Sequence, residues 1–134
     1  MITEELILTL DEIEQAVRYF QVVLRLQDWD ITVIMVDQSV LEDKIAKVAT
    51  SLNYKEAEIQ ISSPDTVGFN RKDPWNMLQT VIHELLHIMF HTANGKFNRG
   101  DYEHSQYEAA IERLAFALRI GYPNWRDTVE AQTI

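Results

Sequence analysis

One stretch, residues 73–92, constrains the fold more than any other part of this sequence. It offers Asp73 as a helix N-cap and Pro74 for the first helical position, and no glycine interrupts it. Most of the side chains that follow are apolar, namely Met77, Leu78, Val81, Ile82, Leu85, Leu86, Ile88, Met89 and Phe90. A helix that is apolar on most sides is buried, so its polar side chains need partners.

The polar side chains of this predicted helix form a metal-ligand pattern. His83 and His87 are four residues apart, so on a helix their imidazoles point to one place, with Glu84 one step around the same side. Zinc bound by two neutral imidazoles beside a carboxylate would satisfy these groups. The alternative is that two core histidines and a glutamate stand in this order by chance, the risk attached to any short motif. The predicted burial favours the metal site.

A third ligand has to come from elsewhere in the chain. A tetrahedral zinc that keeps one position for water takes three protein ligands, and a chain without cysteine must supply them as histidine or carboxylate. The helix predicted from Ser105 to Arg119 offers Glu108 and Glu112, which share one face. For each glutamate the alternative is a solvated charge on an amphipathic helix. Its alanines allow close packing on the His/Glu helix, which favours one of the two as the ligand.

The pentad at 83–87 followed by an acidic helix resembles the glutamate-zincins. In these zincin metallopeptidases, His-Glu-x-x-His on one helix is completed by a glutamate from a later helix. Residues 108–112, Glu-Ala-Ala-Ile-Glu, match the family pattern of a ligand glutamate followed four residues later by an acid that supports a zinc-bound histidine. The resemblance implies Glu108 as the third ligand and Glu112 behind a histidine, with Glu112 as the alternative ligand if the helix is shifted by one turn.

The chain is also similar to small prokaryotic and phage-encoded proteins of the metallopeptidase type. The likeness covers about residues 20–120 and includes a Trp-x-Ile-x-Val strand before the pentad and a Glu-Arg-Leu-Ala helix after it. The glycine and third histidine of metzincins are missing, as are the basic or zinc-ribbon extensions of SprT-like proteases. The resemblance therefore implies zinc-dependent hydrolysis of a peptide or protein substrate, with Glu84 as general base, and it does not specify the substrate further.

Two further histidines and two tyrosines have weaker assignments. His91 stands one turn after His87, but three histidines on one straight helix cannot converge on one tetrahedral ion. We therefore expect His91 to be a residue of the helix C-terminus that the helix dipole favours, and not a ligand. His104, Tyr102 and Tyr107 are candidates to donate a hydrogen bond to an oxyanion. The alternative for them is an exposed loop histidine and two packing tyrosines.

Periodicity predicts an α+β fold, with an N-terminal helix, a small sheet of about three strands and the two helices that carry the ligands. This set of elements resembles the minimal core of the zincins. In chain order the expected elements are a helix from Asp11 to about Gln27 capped by Thr9 or Asp11, strands at 29–37, 47–54 and 57–62, the His/Glu helix from residue 73, and a last helix from Ser105 to Arg119.

The pattern of apolar residues also predicts where two of the strands lie in the sheet, and composition predicts one loop. Strand 29–37 is apolar on both faces and is expected to be central, whereas 57–62 alternates and is expected to be a half-buried edge strand to which an extended peptide adds. Residues 47–54 alternate as well, although a short helix also fits them. Segment 93–101, with two glycines and two asparagines, is predicted to be an exposed, mobile loop able to act as a lid.

Composition limits the class of protein. With 134 residues, 46% of them hydrophobic, we expect one domain spanning 1–134. A formal charge of -9 disfavours nucleic acid and anionic membranes as partners. The start of the chain has acids where a signal peptide has bases, and no apolar run is long enough to span a bilayer, so a cytoplasmic protein is expected. The oligomeric state is left open.

A second hypothesis has the same ligands but no catalysis. In it, zinc fastens two helices of a regulatory or protein-interaction domain and turns over no substrate. The discriminating features are Glu84, which a structural zinc does not need, and an open coordination position. The presence of Glu84 favours the enzyme.

Overall fold

The computed structural model describes residues 4–42, 44–66, 74–91 and 102–127. Over these ranges the fold is α+β, as predicted: a helix, a small three-stranded mixed sheet and further helices. The elements are α1 (Leu10–Val23), β1 (Asp30–Val36), β2 (Ala46–Ser51), β3 (Glu56–Ser62), α2 (Met77–Met89) and α3 (Tyr102–Gly121), with 3-10 turns at Gln38–Leu41 and Pro64–Thr66. The predicted loop at 93–101 lies outside the described residues.

Helix α1 begins at a reciprocal cap. The hydroxyl of Thr9 accepts from the backbone N–H of Glu12 at 3.2 Å, and the carboxylate of Glu12 accepts from the N–H of Thr9 at 3.0 Å, so two backbone donors at the helix start are satisfied. Thr9 is therefore the cap, one of the two that the sequence offered. The helix ends at Val23, not near Gln27, because Arg25 adopts the left-handed region with φ of 57°.

The sheet has the order β1-β3-β2, with β1 parallel and β2 antiparallel to β3. Val33, Ile59 and Val48 form one row across the three strands. The choice of a strand over a helix for the second segment is confirmed. Strand β2 follows Lys44 and enters the sheet on the side next to α2, whereas α1 packs against β1.

The predicted positions of the first and last strands are wrong: β3 is central and β1 lies at an edge. The inward side chains Ala57, Ile59 and Ile61 are buried, while Glu58 and Gln60 on the other face bond to each other at 3.0 Å. Alternation in sequence reports which face of a strand is buried, and it does not report how many neighbours the strand has. Because both edges of β3 are paired, the proposed addition of a peptide to β3 is excluded.

Helix α2 begins later than predicted. Its cap is Asn76, whose side chain accepts from the N–H of Gln79 at 3.0 Å, and Pro74 precedes the helix. Asp73, the predicted cap, lies outside the described residues. The N–H of Leu6 donates to the carbonyl of Trp75 at 3.0 Å, and the N–H of Met77 donates to the carbonyl of Leu6 at 2.8 Å. This pairing with the N-terminal segment holds residues 75–76 in an extended conformation, so the helix cannot start before them.

The core surrounds α2, which contacts α1, β2 and α3. Its fully or almost fully buried apolar side chains are Met77, Leu78, Val81, Ile82, Leu85, Leu86 and Ile88. Helix α3 is longer than the predicted Ser105–Arg119 and lies along the side of α2 that carries the histidines. Across the described ranges, no helix combines the length and apolar character needed to cross a membrane.

Candidate metal centre

Three side chains from α2 and α3 converge on one point. Nε2 of His83 lies 3.3 Å from Oε2 of Glu108, and Nε2 of His87 lies 3.2 Å from Oε1 of the same carboxylate. The two Nε2 atoms are 3.2 Å apart. One turn of α2 separates the two histidines, and the glutamate reaches them from the neighbouring helix. The predicted pair and one of the two predicted carboxylates are thus brought together.

The spacing of these atoms fits a metal ion. Ligands about 2.0–2.1 Å from a tetrahedral zinc are about 3.3 Å from one another, which is close to the three separations found here. Two imidazole lone pairs and a carboxylate also repel one another unless a cation or protons lie between them. His83, His87 and Glu108 could therefore hold a metal ion.

Protons can take that role when no metal ion is bound. Burial disfavours a charged His83, but hydrogen bonds to Glu108 and Glu112, together with the charge of Glu84, outweigh it and raise its pKa to about 10. Burial likewise opposes the charge on His87, and the bond to Glu108 raises the pKa of that imidazole overall. The same bonds to both histidines hold the pKa of Glu108 far below its usual range. A metal ion that binds here must displace these protons.

Glu84 is buried beside the centre, with 7% of its surface exposed. Burial raises the pKa of its carboxyl, although the neighbouring His83 and His87 oppose this, as does Lys44, which precedes β2. A carboxyl whose pKa is raised holds an accepted proton more readily, which suits a group that takes a proton and returns it. It lies on α2 directly after His83, as the motif requires, and it does not belong to the converging group of ligand atoms.

Glu112 lies behind His83. Its Oε2 accepts a hydrogen bond from Nδ1 of that imidazole at 3.1 Å, and this bond is the largest cause of the lowered pKa of Glu112. A proton on Nδ1 leaves the lone pair of the neutral ring on Nε2, the atom that faces Glu108. Of the two glutamates that the sequence offers, the geometry favours Glu108 for the metal and Glu112 for orienting the histidine.

The three candidates for a hydrogen-bond donor to an oxyanion lie at different distances from the centre. The hydroxyl of Tyr107 lies 3.4 Å from Nδ1 of His87, the nitrogen that faces away from the point of convergence, so it contacts the back of a histidine. Tyr102 is largely exposed and accepts from Gln106. His104 lies on α3 one turn before Glu108 and is not a member of the converging group.

His91 does not join the metal group found among the described residues. Its Nδ1 donates to the carbonyl oxygen of Ile88 at 3.0 Å, and its ring packs against Trp29 with centroids 5.6 Å apart. The imidazole therefore donates to the same carbonyl that accepts from the backbone N–H of His91 at 3.2 Å, at the C-terminal end of α2. The favourable interaction with the helix dipole stays a prediction.

Sequence reasoning missed two polar residues near the centre. Gln79 is fully buried and donates from Nε2 to Oε1 of Glu112. A signal for it existed, because Gln79, His83 and His87 follow one another at intervals of four and so share a helix face. Arg119, which bonds to Gln79 at 2.9 Å, carried no signal, since an arginine in the last turn of an amphipathic helix is ordinarily exposed.

The chain matches no protein-family model, no curated protein and no solved structure. The contacts of His83, His87, Glu108 and Glu84 are therefore the basis on which a function can be assigned.

Proposed function

We propose that this protein is a zincin-type peptide hydrolase in which His83, His87 and Glu108 hold zinc and Glu84 is the general base. The observation that carries the proposal is the convergence of two Nε2 atoms and one carboxylate at 3.2–3.3 Å, with a buried carboxyl next to them. A structural zinc would use the same ligands, but it would have no use for a buried acid that is not a ligand.

The donor set supports zinc in particular. Two imidazoles and one carboxylate are the ligands of several catalytic zinc sites, which leave one position open to water or substrate. The order of elements also agrees with the proposal, because a small sheet precedes the helix with both histidines and a later helix brings the glutamate. This is the arrangement that the glutamate-zincin resemblance implies.

The proposed reaction uses the side chains of this chain in separate roles. Zinc bound at such a centre lowers the pKa of a water molecule and polarises a carbonyl group. Glu84 accepts a proton from the attacking water and passes it to the nitrogen of the leaving amine. Glu112 holds His83 with its Nδ1 protonated, so that Nε2 stays available as a ligand.

The sheet offers one edge for an extended substrate in this proposal. Among the described residues, β2 pairs only with β3, and it packs beside α2. Strand β2 begins just after Lys44, whose positive charge acts on Glu84. The beginning of this edge strand is therefore near the proposed general base. A peptide that added to β2 by backbone hydrogen bonds would extend the sheet toward the metal centre.

The test begins with metal content. Elemental analysis of purified protein is expected to give one zinc per chain in the wild type and in His91→Ala, and none in His83→Ala. His91 is the matched control, since it lies near the same helix end but outside the converging group. Equal zinc in both variants would end the proposal.

The second measurement separates binding from chemistry. A peptide library incubated with wild type and with Glu84→Gln, then read by mass spectrometry, should show cleavage by the wild type alone. If the wild type holds zinc through four protein ligands and cleaves nothing, the protein is the zinc-stabilised regulatory or interaction domain. The contact of ligands from α2 and α3 is the observation that favours this second candidate, since a metal there fastens the two helices together.

A further inference from the structure

The polar contacts behind His83 continue past Glu112 into the protein. Gln79, with 0% of its surface exposed, donates from Nε2 to Oε1 of Glu112. Its carbonyl oxygen accepts from Nε of Arg119 at 2.9 Å. The arginine is 7% exposed and lies 40 positions further along the chain, in the last turn of α3. A row of side chains therefore joins the centre to a buried guanidinium.

The chemistry of the groups gives this row a fixed direction. Arginine has donors and no acceptor, so the oxygen of the Gln79 amide must face Arg119. The amide nitrogen then faces Glu112, which accepts with one oxygen from Gln79 and with the other from Nδ1 of His83. Each contact leaves the next group one acceptable orientation, and the last of them puts the lone pair of His83 on Nε2.

Without the arginine, the carboxylate of Glu112 alone would hold the Gln79 amide in this orientation. Turned over, the amide would place its oxygen against that carboxylate, and two acceptors would repel each other. Glu112 would then shift, and His83 would lose the acceptor that fixes its ring. The guanidinium thus fixes the orientation from the second end of the amide, and its loss weakens the hold on Glu112.

A purely structural role explains Arg119 less well. A cation in the last turn of α3 is favourable to the helix dipole, but an exposed side chain would serve that purpose without loss of hydration. Its carboxylate neighbour, Glu4, is 3.6 Å away and largely exposed, whereas the closer bond goes to the neutral Gln79. The guanidinium also lies over the ring of Phe116, 5.2 Å from its centroid, but the bond to Gln79 is the contact that connects it to the metal centre.

We infer that Arg119 is a positioning residue for the metal centre, acting through Gln79 and Glu112 on the ring of His83. The inference rests on the proposed function in one respect, that His83 is a metal ligand. It does not require that the protein cleave peptides.

The experiment is a competition titration with a zinc chelator on the full chain. Arg119→Met should weaken zinc binding by roughly tenfold, the lower end of the range for groups that support a ligand. Arg113→Met is the matched control on the exposed side of α3, and Glu4→Gln tests the other partner of Arg119. Both should bind zinc as the wild type does.

A double-mutant cycle separates positioning from general stability. If Arg119 acts through Glu112, then Arg119→Met should add little to the loss already caused by Glu112→Gln. A merely structural arginine would give losses that add. In the zinc-loaded protein, the Nδ1 proton of His83 should also exchange with solvent faster in Arg119→Met than in the wild type, as observed by NMR.

A second variant keeps the inference testable if Arg119→Met does not fold. Gln79→Asn keeps a buried amide but is one carbon too short to reach both neighbours, and it should weaken zinc binding to a similar extent. Unchanged affinity in a folded variant, or additive losses in the cycle, would overturn the role of Arg119 and leave the proposed function standing. A wild type that binds no zinc would overturn both.

Discussion

The imidazole of His83 has two sides that meet different surroundings. In front, Nε2 faces His87 and the carboxylate of Glu108, where three potential ligand atoms crowd together. Behind, Nδ1 faces Glu112, whose other oxygen is already bonded to Gln79. The front needs a cation or protons from outside the fold, whereas the back is completed by the chain itself.

This difference indicates on which side of His83 bound groups can be exchanged. A group that the protein has fully paired behind the histidine stays in place whatever the metal does. Under the proposed function, the front is the side on which metal, water and substrate would bind and leave. Variants in front of His83 and behind it should therefore differ both in the property that they change and in the size of the change.

The largest effect is expected from a change that leaves both sides of His83 intact. Glu84→Gln should lower peptide hydrolysis by about 10²–10⁴-fold, the usual contribution of general acid–base catalysis, because an amide cannot accept the proton. Zinc content should stay at the wild-type level, since Glu84 is not among the converging ligands. Rates from single-turnover cleavage and elemental analysis of the same sample check the two halves.

A front-side change should affect metal binding most. Zinc sites with four protein ligands bind the ion with a free energy of about 10–16 kcal/mol. One ligand contributes about a quarter of it, so the loss of one ligand should lower the affinity on the order of 100- to 1,000-fold. Glu108→Ala should show a loss of this size in chelator competition, whereas Glu103→Ala, an exposed glutamate on the same helix, should show none. If the loss appears with Glu112→Ala and not with Glu108→Ala, the ligand is one turn further along α3.

A back-side change should be milder. Glu112→Ala removes the acceptor behind His83 and should weaken zinc binding by about 10 to 100-fold while leaving measurable occupancy. Isothermal titration at the same pH as the Glu108 variant gives the comparison. Equal losses from the two glutamates would remove the distinction between front and back.

The last prediction concerns the change in zinc affinity for each unit of pH. Because the pKa of His83 is raised to about 10, its imidazole is protonated in the metal-free protein at pH 7, and a metal ion must displace that proton. The folded-state pKa is raised, so affinity should increase with pH by about tenfold per unit for each proton displaced, from pH 7 toward 9, and fall as the pH drops. Glu112→Ala should flatten this slope, because it removes one of the bonds that raise the pKa of His83. Zinc titrations at stepped pH measure both.

The sequence predicted the ligand-bearing parts of the centre because they follow local rules. Four-residue spacing on one helix places His83 and His87 together, and α3 offered Glu108 and Glu112 on one face. The choice of Glu108 between them came from the glutamate-zincin resemblance. What it could not predict depends on partners far along the chain. Gln79 and Arg119 meet across 40 positions, and no periodicity within either helix announces that contact.

Two errors in the fold have the same origin. The central position of β3 depends on which strands pair with it, and alternation in residues 57–62 carries no information about neighbours. The start of α2 depends on the backbone bonds between Leu6 and residues 75–77, which override a plausible proline at residue 74. Local pattern predicted the kind of each element, and long-range pairing decided its place and its ends.

The bond between the N-terminal segment and the start of α2 also bears on the order of folding. The carbonyl of Glu4 accepts from the side chain of Asn76, 72 positions away. Closing a loop of that length is entropically costly, and contacts so distant in sequence form slowly unless the chain between them has already become compact. The sheet and α1 lie within that interval, so they can assemble before the segment docks. We therefore expect the N-terminal segment to dock late in folding, and protection of the Met77 backbone amide from hydrogen exchange to lag behind the appearance of β structure in stopped-flow circular dichroism.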